Sequence, residues 1–248
     1  MMKKRYILLL DSSTDYCTVA LAEEGDTPTI IAEAEETDRS RQSERLAVMA
    51  QEVLSQLPQG NELSAICVAE GPGSYTGLRI AAGYAKGLAF AKGVPLLAIS
   101  TTQLIARSYL AHEVASEEAL LMPMIDARRM EVYSALYTAK GEPVSDIAAL
   151  VLPEEKTQAS ITELVEQHPV VYFGSGAEKA QELFQSLLPG SRYVVNIYPH
   201  AKYMASDAFR LLEAGEHLDV AYWEPFYLKE YQAKKSLNKV LAQLLPNK

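Results

Sequence analysis

The chain has 248 residues, 48% of them hydrophobic and 22% charged, and a formal net charge of −9 at pH 7. A chain of that length buries roughly three-quarters of its unfolded surface, so its core needs no disulfide or metal staples, and the composition is that of an ordinary soluble globular protein. The charge argues against sequence-independent binding of nucleic acid, which is built from lysines and arginines that neutralise phosphates.

The apolar run that opens the chain stops at Leu10 and meets Asp11, too short for the apolar region of a signal peptide. No segment reaches the apolar length a bilayer requires, so a cytoplasmic location and no membrane partner are expected. Strands are predicted over 6–10, 16–22 and 28–35, separated by the turns Ser12-Ser13-Thr14-Asp15 and Glu24-Gly25-Asp26. An amphipathic helix over 40–57 follows, with Leu46, Met49, Ala50, Val53 and Leu57 on one stripe. Strand 63–70, helix 77–91, strand 95–99 and a helix over 101–110 complete a βββαβαβα unit, with Ser100-Thr101-Thr102 as N-cap cluster of the last helix. After a charged segment at 112–118 the pattern repeats. Strands 120–126, 131–138 and 148–152 precede helix 157–167, strand 170–173, helix 176–187, strand 193–197 and helix 201–214.

A duplicated βββαβαβα order describes an α/β fold, the actin–Hsp70–sugar-kinase (ASKHA) architecture, with two lobes and nucleotide held between them. The expected lobes are 1–110 and 111–228. Their nucleotide site reads as degenerate. The first-half turn, 11–15, and the second-half turn, Asp126-Ala127-Arg128-Arg129, carry no glycine, and a β-carbon at each position hinders backbone approach to a phosphate. Asp11 and Asp126 read as carboxylates capping these turns. The loop Gly71-Pro72-Gly73-Ser74-Tyr75-Thr76-Gly77-Leu78-Arg79 lies between a strand and a helix, where backbone N–H groups meet anions. It lacks the lysine of a P-loop, and Thr76 stands where a dinucleotide loop needs glycine. The four histidines, His112, His168, His200 and His217, are scattered without helical or hairpin spacing. Cys17 and Cys67 fall in strands and read as core residues of a reducing compartment. No catalytic residue, cofactor or metal is expected. The basic clusters (Arg39, Arg41 and Arg45; Arg128 and Arg129; Lys229, Lys234, Lys235 and Lys239) read as solvated surface.

Four segments, Leu-Leu-Leu-Asp-Ser-Ser-Thr (8–14), the loop at 71–79, Gly-Val-Pro-Leu-Leu-Ala-Ile-Ser-Thr (93–101) and Ile-Asp-Ala-Arg-Arg-Met-Glu-Val-Tyr (125–133), together resemble the TsaB (YeaZ) family. Pro225-Phe226-Tyr227-Leu228-Lys229 resembles that family's closing motif. The family supplies the dimerisation subunit of the bacterial tRNA threonylcarbamoyladenosine machinery and is the degenerate relative of TsaD, whose first long helix carries a metal-binding histidine pair. Here the corresponding stretch, 38–45, has no histidine. The resemblance implies a non-catalytic scaffold that supports a TsaD-type transferase, meets a TsaE-type ATPase only within the complex, and reaches tRNA through the complex. It also implies a homodimer when alone.

Helix 77–91 carries Gly77, Gly83 and Gly87 among alanines. It suits either tight packing on its own sheet or close approach of a partner helix, and the resemblance selects the second. The expected interface is Leu46, Met49 and Val53 with Gly73, Tyr75, Thr76, Gly77, Arg79, Gly83, Lys86 and Gly87. Ser74 and Thr76 are the candidate N-caps of helix 77–91. The stretch 229–248 is expected to be a tail forming a helix, with Leu237, Val240, Leu241 and Leu244 on one face. Two other classes, a stand-alone actin-like ATPase or kinase and a metallopeptidase, would require glycine-rich turns or a metal-ligand set.

Overall fold

The computed structural model of the chain describes residues 4–165 and 168–229; the expected tail helix with its leucines, the lysines at 234, 235 and 239, and the end of the helix expected over 157–167 lie outside them. The first half comprises β1 (Tyr6–Asp11), β2 (Cys17–Glu23), β3 (Thr29–Glu36), α1 (Gln42–Leu54), β4 (Ala65–Ala69), α2 (Tyr75–Lys92), β5 (Leu96–Ile99) and α3 (Thr101–His112). The second repeats the order: β6 (Leu120–Asp126), β7 (Glu131–Ser134), β8 (Ala148–Val151), α4 (Glu155–Val165), β9 (Val170–Phe173), α5 (Gln181–Leu187), β10 (Arg192–Val194) and α6 (Ala205–Ala214). Single 3₁₀ turns at Ala177–Ala180 and Ala201–Met204 lead into α5 and α6. The sheets run β3-β2-β1-β4-β5 and β10-β9-β6-β7-β8. Replacing β1–β5 by β6–β10 in the first order gives the second read backwards, so the duplication is one of topology. This is the two-lobed actin-like fold.

β1 is buried along its whole length, antiparallel to β2 and parallel to β4. A strand covered on both faces reads as an unbroken apolar run, which is why Tyr-Ile-Leu-Leu-Leu carries no alternation. Leu8, Leu10, Val19, Ile66 and Val68 face α1 and α2, where Leu46, Met49, Val53, Ala81 and Ala85 meet them. The opposite face, with Ile7, Leu9, Ala20, Cys67 and Leu97, is covered by Met204, Ala205, Ala208 and Phe209. The first sheet is therefore closed by α6, an element of the second half. In exchange α3, from the first half, covers the second sheet: Ile105, Ala106 and Tyr109 pack on Leu121, Ile125, Val171 and Phe173. The Tyr109 and Phe173 rings stack at 4.5 Å.

Two polar ties fix the exchange. Arg107 of α3 grips Asp207 of α6 through Nε at 2.8 Å and Nη2 at 3.1 Å. Thr102 Oγ1 lies 2.8 Å from Tyr137 Oη, across the halves. After α6 the chain returns to the first half as a strap. Leu218 N donates to Leu96 O at 2.9 Å, Lys86 Nζ to Trp223 O at 2.7 Å, and Phe226 N to Glu70 O at 2.8 Å. The segment 111–228, read from the sequence as one lobe, is thus shared between both sheets.

The strand expected over 131–138 is interrupted. β7 ends at Ser134, and Tyr137 rejoins through a reciprocal pair of bonds with Leu121 at 2.8 and 2.9 Å. Counting along the ladder puts Pro123 where β6 would have to donate an N–H to residue 135, and proline has none. The helix expected over 40–57 is a 3₁₀ turn at Arg39–Arg41 followed by α1. Among the described residues no helix is long and apolar enough to cross a membrane.

Candidate functional site

A cleft of about 1390 Å³ separates the halves, bounded by the turn after β1, the turn after β6, the start of α2 and the strap. Each turn is capped by the aspartate ending its strand. Asp11 Oδ1 accepts from Ser13 N at 3.0 Å and from Ser13 Oγ at 2.6 Å, and Asp126 Oδ1 accepts from Arg128 N at 2.5 Å. Asp11 is wholly buried, and burial pushes its carboxyl up to about 6 against the opposing pull of the Ser13 bonds. Asp11 Oδ2, Ser12 Oγ and Thr101 Oγ1 are buried with no hydrogen-bond partner among the described residues. Asp126 is exposed and bonded to Lys179 Nζ.

The glycine-rich loop does not present a cradle. α2 begins at Tyr75 with Ser74 as N-cap, its Oγ accepting from Gly77 N at 3.3 Å; Thr76 lies in the first turn. The turn after β1 is pressed into this helix start, with Ser74 N donating to Ser13 O at 2.7 Å. A Cβ on Gly73 would overlap the Ser13 carbonyl oxygen, and one on Gly77 the Ser12 carbonyl oxygen. Both glycines therefore admit the chain's own backbone. The Ser74 N–H is taken by Ser13 O and the Gly77 N–H by Ser74 Oγ, so neither is offered to an anion. The second half repeats the contact: Gly176 N donates to Met124 O at 2.9 Å, and Ser175 Oγ accepts from Asp126 N at 3.1 Å.

The residues assigned to an interface divide in two. Leu46, Met49 and Val53 are almost wholly inaccessible and belong to the first-half core; the apolar stripe of α1 is covered by its own sheet, which corrects their placement on the surface. Gly73 and Gly77 are filled from within. Lys86 is held by strap carbonyls, and Tyr75 packs on Tyr227 with ring centres 4.9 Å apart. Arg79 donates to Tyr75 Oη at 3.1 Å while remaining exposed. Gly83 and Gly87 are exposed, and a Cβ on either would meet nothing within 4 Å. Thr76, Arg79, Gly83 and Gly87 thus form an outward stripe on α2, extended by Phe90, which is 83% exposed. Val48, on the outer side of α1, is 43% exposed. Neither Phe90 nor Val48 was picked out in the sequence, although Phe90 continues the i, i+3, i+4 spacing from Gly83 and Gly87.

The second-half rim of the cleft has an unusual backbone. Arg128 (φ 71°), Arg129 (φ 48°) and Asn196 (φ 60°) are the non-glycine residues with left-handed backbone among the described residues, and all three line the cleft. Six tyrosines line it too, with Tyr16 and Tyr198 stacked at 4.3 Å. Elsewhere, His112 and His200 both make edge contacts with Tyr203, at ring distances of 5.6 and 5.9 Å. Burial and the nearby Lys202 charge lower His200 to about 4. Among the described residues no three His, Cys, Asp or Glu side chains converge to hold a metal ion.

Residues 29–233 match a family model described as TsaD: tRNA N6-adenosine threonylcarbamoyltransferase. Two curated relatives named tRNA threonylcarbamoyladenosine biosynthesis protein TsaB match over nearly their whole length. The Bacillus subtilis protein is 28% identical over 92% of this chain and 96% of its own, and the Escherichia coli protein 29% identical over 93% and 97%. The Haemophilus influenzae protein of that name is 38% identical over 53% of each chain, so here the match spans about half of the relative. Among solved structures, YeaZ from Pseudomonas aeruginosa is 26% identical and superimposes with a TM-score of 0.70 over 90% of this chain and 100% of its own. A P. aeruginosa protein described as uncharacterized, with similarity to peptidase YEAZ, gives 28% and 0.71 over 91% and 100%.

Proposed function

The chain belongs to the wider TsaD family and, within it, to the TsaB (YeaZ) group, and from that premise we propose that it is the non-catalytic, partner-binding subunit of a complex making tRNA threonylcarbamoyladenosine. The observation that carries this reading is the filled cradle: Ser12 and Ser13 carbonyls occupy the start of α2. An actin-like ATPase or kinase grips phosphates with the turns after the first strand of each half; here neither turn carries a glycine, and the first is pressed into the start of α2, Ser74 N donating to Ser13 O. With the cleft's anion seat taken by the chain itself, catalysis falls to a TsaD-type partner. A TsaE-type ATPase and tRNA join through the assembled complex.

The partner-binding face is the outward stripe of α2 (Thr76, Arg79, Gly83, Gly87 and Phe90). Two glycines let another helix backbone approach closely, and an exposed phenylalanine next to them supplies apolar area to bury, worth about 1.5–3 kcal/mol when fully covered. The isolated chain uses this face for a two-fold dimer, and the transferase displaces that dimer. The test is co-purification with a TsaD-type subunit and sedimentation of the chain alone. Gly83→Leu and Phe90→Asp should each weaken both associations at least tenfold without lowering the melting temperature. Parent-like masses and parent-like co-purification for both variants would reject this face.

A further inference from the structure

We infer that the second-half rim of the cleft, with Arg128 and Arg129 foremost, holds RNA phosphates in the assembled complex; this rests on the tRNA-modification reading above. The turn joining β6 to β7 requires two consecutive residues of left-handed backbone. Left-handed backbone is ordinarily left to glycine, or to Asn and Asp, because an L-residue with a long side chain is strained there. The chain instead places two arginines. Backbone strain of this sort is retained where a side chain is needed.

The side chains are free to act. Asp126 and Glu131, the carboxylates nearest in the chain, are bonded to Lys179 and Lys229, and no ion pair of Arg128 or Arg129 is present among the described residues. The other basic cluster differs: Arg41 and Arg45 each lie 3.7 Å from the Glu36 carboxylate. The same cleft offers tyrosine faces, Tyr198 among them at 39% exposure. Asp15, Asp126, Glu131 and Glu178 line the cleft against Arg128, Arg129 and Lys229, so phosphate contact falls to the two rim arginines, with aromatic rings beside them for bases. The volume of about 1390 Å³ exceeds the roughly 300–1,000 Å³ of small-molecule pockets, which favours a chain segment over a free anion.

The experiment uses the complex with a TsaD-type subunit and measures tRNA affinity across a salt series. The parent is compared with Arg128→Gly/Arg129→Gly and with Arg41→Ala/Arg45→Ala. The glycine pair should weaken tRNA binding about tenfold or more and flatten the dependence of log K on log salt by about 1.4, two phosphate contacts at about 0.7 each; the alanine pair should match the parent. Because glycine suits left-handed backbone, the glycine variant should melt no lower than the parent. Unchanged affinity and slope would overturn the inference and leave the assembly reading standing. So would a lower melting temperature, which makes the arginines structural, or weakened assembly with unchanged tRNA affinity, which makes the rim a protein interface. A parent chain that forms no complex with the transferase overturns the function and this inference together.

Discussion

Asp11 and Asp126 occupy equivalent strand ends and cap their turns alike, yet one is sealed and the other wet. That difference has a pH signature. A carboxyl raised from 3.8 to about 6 in the folded chain is held more comfortably when protonated, so its penalty is absent below about pH 4 and complete above about pH 6. Asp11→Asn keeps the Oδ1 acceptor and removes the charge. Relative to the parent it should gain stability as pH rises from 4 to 8, by at most about 3 kcal/mol; a stability difference that stays flat across that range would show that Asp11 is not buried as described. His200 acts in the opposite direction. Its value lies near 4 against an ordinary 6.5, so the neutral ring's contribution is present above about pH 6.5 and lost as pH falls through 4. The caps were legible in the sequence because aspartate after a strand and before hydroxyl residues has a local meaning. The backbone of Arg128 and Arg129 was not, since nothing local distinguishes an arginine that must turn left-handed.

α2 shows how little an isolated helix says about its surroundings. Gly77, Gly83 and Gly87 look equivalent in the sequence, and their neighbours separate them. Gly83 and Gly87 face open space, so Gly83→Ala and Gly87→Ala should each stabilise the chain by up to about 1 kcal/mol, the ordinary helix preference. Gly77→Ala drives a methyl into the Ser12 carbonyl and should cost about 2 kcal/mol or more. Denaturant unfolding of the three variants checks the signs, and one shared sign would contradict the packing. The stripe of α1 teaches the same lesson. Its periodicity correctly marked Leu46, Met49 and Val53 as one apolar face, but periodicity does not name what covers a face. Leu46→Ala should therefore cost about 2–5 kcal/mol of folding stability and leave association per folded molecule unchanged. Pro123 in turn explains why a strand that read as continuous breaks at Ser134: the fault lies in the partner strand.

For the whole molecule, the repeated βββαβαβα order was readable because each half carries its own turns and periodicities. The exchange of α3 and α6 was not, because an amphipathic helix fits either sheet. Its energetic consequence is strong coupling of the halves. Thermal or denaturant unfolding should show a single transition by every probe, despite two sheets and 248 residues. Arg107→Ala removes the two-bond partner of Asp207, which is 4% exposed, and leaves it Arg210 at 3.9 Å; it should cost about 1.5–3 kcal/mol while preserving the single transition. Two resolved transitions in the parent would mean that the halves are tied less tightly than the shared helices require.

The exchange also fixes an order of events during synthesis. When α3 leaves the ribosome, all five strands of the first sheet exist, but the face carrying Ile7, Leu9, Ala20 and Leu97 still waits for Met204 to Phe209. Nearly a hundred residues separate His112 from Ala205; at about 5–20 residues per second, that face stays bare for roughly 5–20 s. During this interval the nascent chain displays an apolar sheet surface with only Leu104 of α3 to cover it, a target for holding chaperones and a liability whenever translation stalls between the halves.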